Sequence, residues 1–166
     1  MNEVICVCVA SYRNALTRGK RYAVLDTDAA KEQLRVKGDN GRARWFSELC
    51  FVPGDQLVPL LVGYKLDDPI TPGPDQNVEV MVQLSDGQRR WCTFVTPSQL
   101  ANHGEWIEGT QIPFHYENHC VIIAGQLSEE LIGRMLQQIE DQGELVNCTW
   151  PLRKRDDEPE TTQAVL

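Results

Sequence analysis

The sequence predicts a mainly β protein with an α+β second half, in which a small sheet is packed by one main helix. Two β-hairpins indicate the strands, because Asn40-Gly41 and Asp86-Gly87 tolerate the positive φ that tight hairpin turns need. Strict apolar–polar alternation at residues 78–84 indicates a half-buried strand. Apolar residues at helical spacing after Ser128 indicate the main helix. We therefore expect each half of the chain to fold around one hairpin.

Length and composition indicate a globular chain with a substantial core. The 166 residues suffice for one domain or two small ones, and the apolar fraction is 42%. A net charge of −8 argues against a nucleic-acid backbone as the main partner. Residues 1–55 carry nine Lys/Arg and seven Asp/Glu, net +2, whereas residues 56–166 carry seven and seventeen, net −10. The acidic half suits a basic protein partner, although acidity also simply keeps proteins soluble.

The cysteines predict reduced thiols in a cytoplasmic protein. Most of the six lie in apolar segments, where a reduced cysteine acts as a small hydrophobe. Residues 4–10 lack the basic segment and the length of a signal peptide, and no stretch is long and apolar enough to cross a membrane. Cys6 and Cys8 are expected on one strand face. Core packing is favoured there over a soft-metal site, because no second cysteine pair stands at ligand spacing.

Short strands are predicted throughout the first half, at residues 4–9, 22–25, 33–37, 42–46 and 50–52. Three motifs there resemble bacterial SH3-like barrels: Leu16-Thr17-Arg18-Gly19 entering the second strand, the Asn40-Gly41 hairpin, and Ser47-Glu48-Leu49 as a 3₁₀ turn before the last strand. The resemblance covers roughly residues 4–53. It implies an SH3-like β-barrel in residues 1–54, with Trp45 closing its core. It also implies a structural or docking module, since residues 32–35 lack the aromatic residue of proline-binding SH3 domains.

The rest of the chain is predicted to contain a linker, a second domain and a tail. Residues 55–76 are assigned to a Pro-rich linker, because five of the nine prolines lie between residues 53 and 77. Residues 77–152 form the predicted α+β domain. It holds a short helix after Thr96-Pro97, a buried strand at 119–124, the main helix ending at Gly143, and a last strand at 145–150. The charged residues 153–166 are predicted to be disordered.

The second half also resembles, more loosely, the small immunity proteins of bacterial toxin systems. The matching segments are Thr96-Pro97-Ser98-Gln99-Leu100, Val121-Ile122-Ile123 and Ser128-Glu129-Glu130-Leu131-Ile132. The resemblance implies that the protein binds and blocks a cognate toxin. Such inhibitors are often acidic, as this half is.

A metal site or hydrolase centre is one alternative function. His115, His119 and Cys120 lie within six residues and could supply metal ligands. On an extended strand, however, the two histidines would be about 13 Å apart, so they converge only if a tight turn separates them. An apolar neighbourhood also makes a Cys120 nucleophile inert. We therefore predict no metal and no cofactor.

The predicted function is non-catalytic protein–protein binding, as an immunity-type inhibitor or a regulatory adaptor in a bacterium. The predicted binding residues are Tyr12, Arg42, Arg44, Trp45 and Trp106. A second alternative is a nucleic-acid binder that uses arginines beside Trp45 and Trp91, although cross-strand pairing is the favoured explanation for those residues. Exposed hairpin edges also allow a homodimer.

Overall fold

The computed structural model describes residues 3–9, 11–102, 105–106, 108–110, 113–114, 120–122 and 125–152. The first half forms an antiparallel sheet in the order β4-β3-β2-β1-β5. Its strands are β1 (Glu3–Cys6), β2 (Arg21–Asp28), β3 (Gln33–Lys37), β4 (Ala43–Ser47) and β5 (Phe51–Pro53). A 3₁₀ helix at Glu48–Cys50 joins β4 to β5.

The second half forms a mixed sheet covered by one main helix. The sheet order is β11-β8-β7-β6, with β12 also paired to β8; β11 is parallel to β8 and the other pairs are antiparallel. The elements are β6 (Leu61–Leu66), β7 (Asn77–Leu84), β8 (Arg89–Val95), α1 (Pro97–Asn102), β9 (Glu105–Trp106), β10 (Pro113–Phe114), β11 (Cys120–Ile122), α2 (Glu129–Asp141) and β12 (Trp150–Pro151). Strands β9 and β10 pair with each other. No helix in the described part of the chain is long and apolar enough to span a membrane.

The α+β prediction is confirmed, because the alternation and the helical spacing select the faces that become buried. Val78, Val80 and Val82 alternate inward along β7 and pack against Ile132 and Leu136 of α2. The helix begins where the sequence predicted, since the Ser128 side chain accepts a hydrogen bond from the Leu131 N–H at 3.2 Å. It ends before Gly143, whose φ of +77° is typical of a helix stop.

The prediction of a closed SH3-like barrel is not supported, since the first sheet is open. Strands β4 and β5 are the two ends of its order, and in the described residues β4 pairs only with β3. A barrel needs hydrogen bonds between the end strands, and β5 is only three residues long. The local expectations do hold: a β3–β4 hairpin is followed by a 3₁₀ helix and a last strand.

Trp45 does not close the core of the first sheet. Phe46 fills that position with 1% of its surface exposed, whereas Trp45 is 39% exposed. Successive residues of a strand point to opposite faces, so a buried Phe46 places Trp45 on the outer face. The sequence offered two adjacent aromatic residues, and the register of β4 against β3 selected the second one for the core.

Two predicted segments differ in secondary structure from the prediction. The segment predicted as a linker contains β6, which pairs with β7 and forms an edge of the second sheet. The predicted last strand at 145–150 is mostly turn, and only Trp150–Pro151 pairs with β8. Residues 153–166 lie outside the described residues. The domain boundaries at 54 and 77 stay a prediction.

The two halves of the chain, each with its own hydrophobic core, are in contact through the segment after β1 and the end of α2. The Val9 N–H donates to the Asp141 carbonyl oxygen at 2.8 Å. Arg18 donates to the Glu140 carboxylate at 2.7 Å and to the Val7 carbonyl oxygen at 2.9 Å. Gly143 packs so closely on Val7 that an added Cβ would lie 2.6 Å from the Val7 carbonyl oxygen. We call this set of residues the core–core contact.

Candidate binding surface

The β3–β4 hairpin presents one tryptophan and four cationic side chains to solvent. We call this set the hairpin surface: Arg35, Lys37, Arg42, Arg44 and Trp45, all of them exposed. Arg35 lies directly opposite Trp45, and Lys37 directly opposite Ala43. Paired residues of an antiparallel ladder share a face, so Arg35 and Trp45 stand side by side on the outer face.

Strand β4 is an edge of the first sheet, which gives the hairpin surface a second feature. Within the described residues one side of β4 has no paired strand. Such an edge presents backbone N–H and C=O groups to which an extended segment of another protein can add. Arg44 lies opposite the buried Val36 and is nevertheless exposed, because no further strand covers it.

The turn of the hairpin has a defined conformation. Gly41 has a φ of +75°, as the Asn-Gly pair predicted, and the Arg42 N–H donates to the Asn40 side-chain oxygen at 3.1 Å. The Gly38 N–H donates to the Arg42 carbonyl oxygen at 3.0 Å, which closes the hairpin end. Arg42 is therefore held at a fixed position next to the turn.

Asp39 fastens the base of the hairpin to the preceding loop and to β2. Its carboxylate accepts hydrogen bonds from Thr17 at 2.7 Å, Lys20 at 2.6 Å and Tyr22 at 3.0 Å. Partial burial raises the pKa of Asp39, but these hydrogen bonds outweigh it and hold the pKa below its usual value. Burial raises the pKa of Tyr22 to about 12, so its hydroxyl stays a donor. The hairpin surface is thus carried on a rigid support, which lowers the entropic cost of binding.

Trp45 has enough exposed surface to contribute strongly to binding. Its exposed fraction of 39% corresponds to an area on the order of 100 Å² for a side chain of this size. Covering that area stabilises a complex by roughly 2–3 kcal/mol. Tryptophan and arginine are also the residue types that most often dominate interface energetics.

The structure separates the predicted aromatic residues. Tyr12 is half-buried and packs edge-on against Phe46, with ring centroids 5.0 Å apart. Because Phe46 faces the core, Tyr12 and Trp45 lie on opposite faces of the first sheet. Arg42, Arg44 and Trp45 share the hairpin. Trp106 lies in β9, and its side chain is outside the described residues.

The metal prediction stays untested at its own residues. His115 and His119 lie outside the described residues, and of Cys120 only the position at the start of β11 is described. Elsewhere in the described part of the chain, no three His, Cys, Asp or Glu side chains are grouped in a way that could hold a metal ion.

Arg90 has a structural role, although the hydrogen-bond partners described below lie in the turn before β12 and not on the paired strand of the hairpin. Its side chain is buried and donates to the Thr149 hydroxyl at 2.7 Å and to the Val146 carbonyl oxygen at 2.9 Å. Burial lowers the pKa of its guanidinium. Arg90 therefore holds the turn before β12 and is not accessible to a nucleic-acid strand.

Sequence reasoning missed Arg35 and Lys37 as members of the hairpin surface. A signal was present, since the alternation in residues 33–37 places Leu34 and Val36 on one face and Arg35 and Lys37 on the other. Recognising that Arg35 adjoins Trp45 required the register of β3 against β4.

No protein-family model, curated protein or solved structure matches this chain.

Proposed function

We propose that this protein is a non-catalytic interaction module that binds another protein through the hairpin surface. The observation that carries the proposal is Trp45, exposed on an edge strand directly beside Arg35. An edge strand supplies main-chain hydrogen bonds to an extended segment, and alternate side chains of that segment would contact Trp45. The four cations favour a partner segment with acidic residues.

The test is capture of partners from a lysate of the source organism with three immobilised full-length proteins. These are the native protein, Trp45→Ala and Trp150→Ala; Trp150 is the matched control, because it is an exposed tryptophan of the second sheet. We expect at least one protein to be retained by the native chain and by the control but to be lost with Trp45→Ala. Titration of that protein should show affinity about 30-fold weaker for Trp45→Ala, the loss typical of an interface hot spot. Equal retention by all three would overturn the proposal.

A nuclease-treated lysate separates protein binding from nucleic-acid binding. The exposed Arg35 and Lys37, on the same face as Trp45, also resemble a surface on which single-stranded nucleic acid could stack. Capture that survives nuclease treatment supports a protein partner. Capture that disappears after the treatment and weakens steeply with salt would favour nucleic acid instead.

An immunity-type inhibitor is a second, separate proposal, which would use the acidic second half and not the hairpin surface. It is supported by the net charge of −10 in residues 56–166, which suits a basic partner. This proposal requires that a captured partner be a toxic enzyme and that binding abolish its activity. An SH3-like arrangement of the first half likewise stays a proposal, supported by the hairpin, the following 3₁₀ helix and β5.

A further inference from the structure

The turn that joins β3 to β4 contains an asparagine followed by a glycine, and this pair is unique in the sequence. Of the seven asparagines, Asn40 alone precedes a glycine. Both Asn40 and Gly41 are exposed, and apart from its chain neighbours nothing in the described residues lies within 4 Å of a Cβ added to Gly41. Water can therefore reach this peptide unit, and no side chain at position 41 crowds its nitrogen.

The hydrogen bonds of the turn hold the Asn40 side chain against its own backbone. The Asn40 Oδ1 accepts the Arg42 N–H at 3.1 Å, which folds the side chain back over the peptide unit between Asn40 and Gly41. A backbone N–H that donates to a carbonyl oxygen also stabilises negative charge that develops there. The Asn40 Cγ is thus polarised, and the Gly41 nitrogen is the nucleophile that the chain itself holds beside it.

We propose that Asn40 is a self-modification site, at which the chain converts this asparagine to aspartate and isoaspartate with water as the only co-reactant. The Gly41 nitrogen attacks the Asn40 Cγ, the Cγ–Nδ2 bond breaks, and ammonia leaves with the proton of the Gly41 N–H. A succinimide ring remains. Water then opens the ring at Cγ to give aspartate, or at the backbone carbonyl to give isoaspartate, in which the main chain runs through Cγ. No oxidation or reduction takes place.

One hydrogen bond of the turn limits the rate. The Gly41 N–H donates to the Gly38 carbonyl oxygen at 2.9 Å, and this bond must open before the nitrogen can lose its proton and attack. The folded protein should therefore react more slowly than an unstructured peptide of the same sequence. In both, the rate should rise with the hydroxide concentration, because the attacking nitrogen must be deprotonated.

The two products affect the hairpin differently. Asp86 occupies the equivalent position of the β7–β8 turn, where it accepts the Gln88 N–H at 3.0 Å and is followed by Gly87 with a φ of +84°. An aspartate is therefore compatible with this kind of turn. Isoaspartate instead adds a backbone carbon between Gly38 and Arg42, whose closing hydrogen bond is 3.0 Å long. That bond should weaken, and Arg42 should lose its fixed position.

The modification would regulate the hairpin surface, and this consequence rests on the proposed function. Either product places a new carboxylate two residues before Arg42, so the surface becomes less attractive to an acidic segment. We expect the protein that the native chain captures to bind the aspartate form up to about fivefold more weakly, as is typical of one exposed charge. Its affinity for the isoaspartate form should be lower still, because Arg42 is also displaced.

The test is prolonged incubation of the folded, full-length protein at mildly alkaline pH, followed by tryptic digestion and mass spectrometry. Trypsin cuts after Lys37 and Arg42, so Asn40 is the only asparagine in its peptide. We expect that peptide to gain the mass difference between an amide and a carboxylic acid. It should appear as two products, which are assigned by coelution with synthetic aspartate and isoaspartate standards. Peptides that contain the other asparagines should react more slowly.

A transplanted site provides the matched control. Asp86→Asn places an asparagine before Gly87 in a turn with the same side-chain hydrogen bond, and it should react at a rate similar to that of Asn40. Asn40→Gln should show no modification of its peptide, because its longer side chain disfavours ring closure. In the isoaspartate form, separated by ion exchange, the Gly38 N–H should exchange with solvent faster than in Asn40→Asp.

An unmodified peptide of residues 38–42 would overturn the proposal, whether or not Asp86→Asn reacts. Modification without any loss of affinity for the captured protein would overturn the regulatory consequence. Failure of the proposed function gives a different result, since equal capture by the native chain and Trp45→Ala does not alter the peptide masses. The native chain alone gives the peptide map, so the outcome does not depend on any variant folding.

Discussion

The Arg18 guanidinium lies 2.7 Å from the Glu140 carboxylate, 122 residues further along the chain, and both side chains are almost completely buried. The same carboxylate oxygen accepts the Leu61 N–H at 3.2 Å, while Arg18 also donates to the Pro59 carbonyl oxygen at 2.9 Å. The second carboxylate oxygen has no hydrogen-bond partner in the described part of the chain. Burial raises the pKa of Glu140, and Arg18 and the Leu61 N–H only partly offset it. This ion pair therefore joins the two halves of the chain at the cost of burying two charges.

Arg18→Met should destabilise the protein by about 3–5 kcal/mol, because it leaves the Glu140 carboxylate buried without a cation. Urea unfolding followed by circular dichroism measures the change. The double variant Arg18→Met/Glu140→Gln removes both charges and keeps an oxygen that can accept the Leu61 N–H. We expect the double variant to be more stable than Arg18→Met alone. The single variant Glu140→Gln completes the comparison. If the double variant loses as much stability as the two single variants together, the two residues are not coupled.

Gly143→Ala should be much more destabilising than Gly41→Ala. Both glycines have a positive φ, +77° and +75°, so each substitution carries the left-handed penalty of about 1–2 kcal/mol. Only Gly143 also meets a neighbour, since its added Cβ would lie 2.6 Å from the Val7 carbonyl oxygen, whereas nothing described lies within 4 Å of a Cβ at Gly41. Urea unfolding gives the stability loss of each variant. The additional loss in Gly143→Ala relative to Gly41→Ala measures the effect of close packing at the core–core contact. Equal losses would mean that the backbone there shifts freely.

Phe46→Ala and Trp45→Ala should differ strongly in stability although the residues are adjacent. Phe46 is 1% exposed and packs edge-on against Tyr12 and Phe51, so truncating it should cost about 3–5 kcal/mol. Trp45 faces solvent, and its loss should cost less than about 1 kcal/mol. Thermal and urea unfolding of the two variants provide the comparison. The reverse order would show that β4 is shifted by one residue, with Trp45 inside.

Asp39 should make the protein sensitive to acid. The pKa of Asp39 is lower in the folded protein than its usual value. Its contribution to folding stability is therefore complete above the ordinary pKa. That contribution is lost as the pH falls through the folded pKa, below about pH 4. Urea midpoints measured between about pH 2 and pH 6 should therefore fall less steeply for Asp39→Asn than for the native chain. The exposed Asp68 provides the control substitution, Asp68→Asn, which should retain the native slope. Identical slopes for Asp39→Asn and the native chain would contradict the role of this carboxylate.

The elements that local sequence signals specify could be predicted before the structure was known. Asn40-Gly41 and Asp86-Gly87 specify turns through their tolerance of positive φ, and both hairpins are present. Ser128 and Gly143 mark the two ends of α2, because a cap and a stop are properties of a few neighbouring residues. The alternation in residues 78–84 predicted the buried face of β7 in the same way.

The relationships between distant residues depend on how the strands and helices pack in three dimensions. It turned Trp45 outward beside Arg35, because the register of two strands selects one of two adjacent aromatic residues for the core. It left the first sheet open and placed β6 in a proline-rich segment. It also brought Cys50 to Val7 and Glu140 to Arg18. These contacts join residues about 40 to 120 positions apart, so no local propensity or spacing specifies them.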